Sequence, residues 1–363
     1  MKIARLKTII ATAIVVFTVF IIACSKKSGP ADNGPKANGF DKAAMLTNYA
    51  DGLIIPAYTD LQTQITSFET AADTFLAAPN EVNQLALKTA FKNAYLQYQR
   101  VSVDQFGPAE SNLLNNFLNT FPTDNDVING NITRGTYNLV QNSAIDQQGF
   151  PALDYVLFSP GALAKFTGSE AANRKKYVED VIQRMKTLET NVLDAWKSTY
   201  RAQFISNTRS DAGSPIAFLI NQFAFEMDQM KGPRIGWPYG KQSGGVQFPQ
   251  NTEGYHTGIS IALAAENLTN LKRMFNGNSS GKGISDYLVA LDHAQLKQDV
   301  LSQFDKAINS LNAIPDPYSA ALTTHRTEID AAYREVQILL TLIKTDVASA
   351  TGVRITYQDT DGD

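Results

Sequence analysis

Residues 177–196 read YVEDVIQRMKTLETNVLDAW, and their apolar members Tyr177, Val181, Met185, Leu188, Val192 and Trp196 recur at steps of three and four. That spacing puts all six on one stripe of a 3.6-residue helix and most of the charged residues elsewhere, so the stretch predicts a long amphipathic helix with one face to bury. The same period recurs along the chain. Met45, Tyr49 and Leu53 open a run that continues through Leu61, Ile65, Phe68, Ala72 and Phe75, with Pro56 inside it predicting a kink rather than a stop. Leu87, Phe91, Ala94, Tyr98 and Val101 form another run, and Ile329, Tyr333, Val336, Leu340, Ile343 and Val347 a last one. Strand-like alternation is confined to VRITYQD (353–359). Short turns such as AAPNE (77–81) and IPDP (314–317) make successive helices antiparallel, and the expectation is an all-α chain of helical bundles.

The start of the chain reads as an address. Lys2, Arg5 and Lys7 precede an apolar run over residues 8–22, and Ile21-Ile22-Ala23-Cys24 then places the only cysteine after a small residue. The run is shorter than the ~20 residues a spanning helix needs, so residues 1–23 read as a lipoprotein signal peptide and Cys24 as its lipidation site. No cysteine is left for a disulfide, a thiol nucleophile or a zinc thiolate. Residues 24–40 are rich in Gly, Pro, Lys and Ser and read as a flexible tether. Removing the signal takes three of the 32 Lys+Arg, leaving 29 against 35 Asp+Glu and a net charge of −6. Such a balance argues against nucleic acid as a partner and offers no polybasic patch for anionic lipid, so membrane contact is expected through the Cys24 lipid alone.

About 320 residues of patterned chain exceed one comfortable core, which favours two domains. The polar turn ISNTRSDAGSP (205–215) is the natural boundary, giving helical bundles over 41–208 and 209–363. Each half holds a long segment without helical period: 106–161 in the first, and KGPRIGWPYGKQSGGVQFPQNTEG (231–254) in the second. If both pack where the bundles lie side by side, a cleft forms there, and domain junctions favour ligand pockets.

Five segments in order carry a family resemblance: GPAESNLLNNFLNTFPTD (107–124), QGFPALDYVLF (148–158), GISIALAAENLTNLKRMF (258–275), GKGISDYL (281–288) and KTDVASATGVRITYQDTDGD (344–363). Together they resemble the imelysin-like family in its Bacteroidetes lipoprotein branch. The resemblance implies two helical, four-helix-bundle-like domains packed side by side, a cell-envelope location with outer-membrane sorting, and a link to iron uptake with outer-membrane iron-transporter components as partners. It also implies a metallopeptidase motif, Gly-x-His-x-x-Glu, able to hold iron or zinc. The matching positions here run from Gly149 to Asp154, with Pro151 where the histidine would stand. A pyrrolidine ring cannot coordinate a metal, so no confident metal site or catalytic residue follows.

Asp154, a lone acid in an apolar run, needs a partner, and Arg100, Lys231 and Arg234 are candidates. It reads either as a tie between loop and bundle or as a ligand-binding group, with Gly149 and Tyr155 beside it. In the second half Glu253, Tyr255 and His256 lead into a helix whose N-terminus suits an anion or a carboxylate-bound metal, with Lys231 and Arg234 close before them. Arg100, Asp104 and Glu110 are the corresponding candidates of the first half. His325-Arg326-Thr327-Glu328 is a literal His-x-x-Glu, but it reads as a helix start, as does His293. The ending DTDGD (359–363) lacks the downstream glutamate of a calcium loop. No Gly-x-Ser-x-Gly elbow stands at a strand-to-helix turn, and GNSSGKG (277–283) lacks the Gly-Lys-Ser/Thr order of a phosphate loop and reads as a helix-helix turn. Taken with what the resemblance implies, these residues point to a non-catalytic component of iron acquisition that binds a ligand or partner. A metallopeptidase with an altered site, and a scaffold docking on a transporter, are the competing readings.

Overall fold

Helix starts are marked by side chains that satisfy free main-chain amides. Asp41 accepts from Ala44 N at 2.8 Å, Asn80 from Asn83 N at 2.9 Å, Asp124 from Val127 N at 3.0 Å and Ser214 from Ala217 N at 3.2 Å. The structure is a computed structural model that describes residue 37, residues 39–278 and residues 281–357. The signal peptide, Cys24, nearly all of the tether and the DTDGD ending lie outside the described residues. The described residues belong to one compact unit.

The main helices are α1 (Lys42–Thr47), α2 (Ile55–Ala77), α3 (Glu81–Tyr98), α4 (Leu114–Asn119), α5 (Asn125–Arg134), α6 (Gly149–Phe158), α7 (Ala171–Ala195), α8 (Pro215–Gln229), α9 (Ser260–Asn276), α10 (Ala294–Asn312) and α11 (Arg326–Thr341). In the first half α2 packs on α3 and α7, and α6 lies against α3, α4 and α7. In the second half α10 packs on α9 and α11, and α8 on α11. Helix α3 meets α9 across the two sets. The predicted stripes are the buried ones: Leu61, Ile65, Phe68 and Phe75 of α2, Phe91 and Tyr98 of α3, and Tyr177, Val181, Met185 and Val192 of α7 are at most 1% exposed. The boundary expected near 208 falls in the linker between the helix Arg201–Ser206 and α8.

Three expectations are refined. The two segments without period are chains of short elements, including α4, α5 and α6 in the first and a π-turn and the one-turn helix Trp237–Tyr239 in the second. Pieces of that length contain too few turns to show a repeat. At Pro56 the chain stays helical but widens beforehand into a π-turn, Asn48–Ile54. Proline has no amide to donate to Gly52 O, and Asn278 Nδ2 donates there instead at 3.1 Å. No strand occurs among the described residues. The part of VRITYQD within them has no regular secondary structure. Asn221 of α8 holds it, donating to Arg354 O at 3.0 Å and accepting from Thr356 N at 2.7 Å.

Candidate functional site

The α6 segment enters the core under a tight constraint. Gly149 has φ +78°, and a Cβ there would lie 2.3 Å from Leu118 O of α4, so glycine is what lets α6 approach. Five residues on, Asp154 is 2% exposed, and its partner is not one of the expected cations. Its carboxylate accepts from His256 N at 2.7 Å and Thr257 N at 2.9 Å, in the turn that leads into α9. Arg100 instead pairs with Glu266 at 2.5 Å, Arg234 with Glu253, and Lys231 lies buried in the π-turn Met230–Gly236. Main-chain amides do the work expected of a cation, because the turn before α9 leaves the His256 and Thr257 N–H groups free to donate to the carboxylate. Burial nevertheless pushes the Asp154 carboxyl up to about 6, against the hydrogen bonds from Thr257 and His256.

The next donors of α9 are also taken. Asp316 accepts from Ile261 N at 2.9 Å and Ala262 N at 3.0 Å. The anionic ligand expected at this helix start is replaced by the protein's own carboxylates. The His256 imidazole lies 5.6 Å from the Tyr155 ring and 4.9 Å from that of Tyr255. Burial lowers its pKa to about 4, so it is neutral at pH 7. Tyr155 is tied down by Asn129 Nδ2, which donates to its hydroxyl at 2.7 Å.

Behind this turn lies a buried network that the sequence reading identified only in part. Arg234 Nη1 donates to Gln99 Oε1 at 2.7 Å and lies 2.9 Å from Glu253 Oε2, an ion-pair contact without hydrogen-bond alignment. Its Nη2 is 3.9 Å from Glu226 Oε2. Glu253 Oε1 accepts from Gln99 Nε2 at 2.9 Å and Asn119 Nδ2 at 2.8 Å, and Asn119 Oδ1 accepts from the Tyr95 hydroxyl at 2.5 Å. Asn267 bridges Glu226 and Ser102, donating to each at 2.9 Å. Burial disfavours the Arg234 charge, but Glu253 and Glu226 more than offset this and its pKa is raised. Burial raises the Glu226 pKa against the pull of Arg234 and Asn267. Glu226, Asn267, Gln99 and Asn119 were missed. Their signal was a polar residue sitting in register with an apolar stripe, as Glu226 does three residues after Phe223 and Asn267 four after Leu263.

The two aperiodic segments meet, and two recesses open along their contact. The first, of about 290 Å³, is lined by Phe121, Asn125, Pro151, Asp154, Asn251, Tyr255 and His256 among others. The second, of about 240 Å³, is lined by Asn119, Phe121, Glu226, Gln229, Arg234 and Trp237 among others. Phe121 borders both. Three candidates lie elsewhere. Arg100 sits at the contact of α3 with α9, where Asn270 Nδ2 also donates to its carbonyl at 2.9 Å. Asp104 is buried, neither carboxylate oxygen has a hydrogen-bond partner, and burial holds its pKa well above the usual range. Glu110 is exposed on a separate groove with Gln105 and Phe225.

The residues at the implied metal motif do not fit a metal. Pro151 supplies no donor, and both Asp154 oxygens already accept main-chain hydrogen bonds. Among the described residues no group of three or more His, Cys, Asp or Glu side chains converges as a metal site would require. His325 and His293 each stand at a helix start, before α11 and α10.

The sequence profile of the family described as Imelysin matches residues 54–343. The iron-regulated protein A of Synechococcus elongatus is 22% identical over 300 residues, covering 79% of this chain and 81% of that protein. A crystal structure of a protein assigned as an iron-regulated protein A precursor, from Parabacteroides distasonis, superposes with a TM-score of 0.74 at 20% identity, over 89% of this chain and 98% of the other. An imelysin-like protein from Psychrobacter arcticum gives 0.67 at 18% identity, over 87% and 97%.

Proposed function

This chain belongs to the imelysin family, and from that premise we propose that it serves iron acquisition as a non-catalytic binding protein, lipid-anchored in the envelope at Cys24 and binding a ligand or partner in the junction cleft. The link to iron comes from the iron-regulated relatives. One observation carries the non-catalytic part: Asp154, the remaining acid of the implied motif, is committed to the amides of His256 and Thr257, beside a proline that cannot coordinate. A hydrolytic metal needs several convergent ligands and an open position, and a carboxylate already holding two main-chain amides of a turn supplies neither.

The test has two arms. A strain lacking the protein is expected to grow more slowly than wild type when iron is limiting and normally when iron is supplied, with growth restored by the intact gene. Purified protein incubated with mixed peptides and zinc or ferrous iron is expected to leave them intact. Peptide cleavage lost in Asp154→Ala, with folding retained, would establish the metallopeptidase reading in its place.

A further inference from the structure

We infer that the ligand of the junction cleft is an uncharged iron(III) complex whose coordination positions are filled by its own organic chelator; this rests on the iron-acquisition reading above. The first ground is charge. Among the described residues lining the two recesses the cation is Arg234, which faces Glu253 and Glu226, so an anion finds no positive charge to spare. Of the amides that begin α9, those of Ile261 and Ala262 are likewise taken, by Asp316, and those of His256 and Thr257 in the turn before it by Asp154. A bare metal ion finds no converging ligands either. A neutral complex requires neither, because its metal is already satisfied.

The second ground is the lining. Phe121 borders both recesses, Trp237 in the second is 42% exposed and Tyr255 in the first is 36% exposed, so aromatic surface is available on both sides. The side-chain amides of Gln250 and Asn251 in the first recess and of Gln229 in the second make no hydrogen bond with the described protein. Aromatic faces and open amides suit the methylene and carbonyl exterior of an organic chelate lying across the two recesses that Phe121 borders. Because the protein does not ligate the metal, exchanging the metal inside the same chelator should change nothing.

The experiment is calorimetric titration of the full-length protein with the neutral iron(III) complex of a hexadentate trihydroxamate, its gallium(III) counterpart, ferric citrate and ferrous iron. Saturable one-to-one binding is expected for the iron and gallium trihydroxamates with equal affinity, and none for citrate or the free ion. Trp237→Ala and Phe121→Ala, checked by thermal melting for intact folding, are each expected to weaken binding tenfold or more. Binding that ignores both substitutions would overturn the assignment to this cleft. Binding of ferric citrate or free iron in place of the neutral complex would overturn the ligand class and leave the iron-acquisition reading standing. Absence of binding by every iron species, together with normal growth of the deletion strain in low iron, would overturn both.

Discussion

The buried carboxylate of Asp154 is tolerable because two main-chain amides face it. Asp154→Ala removes the acceptor of both, and leaving two buried donors unpaired is expected to cost about 2–4 kcal/mol, measurable by urea unfolding. The pH dependence has a definite sign. The carboxyl titrates near 6 in the folded chain against 3.8 when free, so the folded state holds the proton more tightly. Its contribution is therefore fully present below the free value and is lost as pH rises through the folded value. The stability difference between wild type and Asp154→Asn should thus move against the wild type between pH 4 and 6 and level off beyond. A difference that is flat across this window would show that burial does not raise the carboxyl. Gly149→Ala tests the approach of α6 to α4: the left-handed backbone and the 2.3 Å clash with Leu118 O should together lower stability by more than about 2 kcal/mol, seen as a depressed melting temperature.

Among the elements, the π-turn Met230–Gly236 carries the most weight, since it delivers Arg234 into the network. Arg234→Ala would leave Glu253 and Glu226 without their counter-charge, and a loss of about 3–5 kcal/mol in chemical unfolding is expected. Arg234→Lys should recover only part, because a single ammonium cannot reproduce the planar fork that serves Gln99 and both acids. The long helices were legible in sequence because α2, α3 and α7 repeat their apolar residues over many turns, and the family resemblance is matched by the profile over residues 54–343. Asp154's partner was not legible: an amide donor belongs to the backbone, so no residue type announces it. The π-turns were equally hidden, since their wider register is set by packing against neighbours. Arg234 and Glu253 were read as site residues because they stand in a segment without period, and His256 because it leads from that segment into a helix, whereas Glu226 and Asn267 were overlooked inside regular α8 and α9.

For the whole molecule, the proposed lipid at Cys24 is the anchor to test. Among the described residues no helix is long and apolar enough to cross a membrane. Buried acyl chains contribute about 0.8 kcal/mol per methylene, so Cys24→Ser should move the protein from the membrane fraction to the soluble one. Membrane retention of that variant would point to an anchor elsewhere. The contact between Asp154 and the start of α9 also bears on how the chain is made. The acceptor and its first donor are 102 residues apart in sequence, so during synthesis α6 emerges long before the amides that receive its carboxylate exist. Gln99 and Asn119 wait in the same way for Arg234 and Glu253. The first half can gather its apolar stripes early, yet its polar interior is completed only when the second half arrives. A truncated chain ending at the linker after Ser206 would therefore leave the buried polar groups of the first half without their partners, and is expected to be a lasting target for chaperones and proteases.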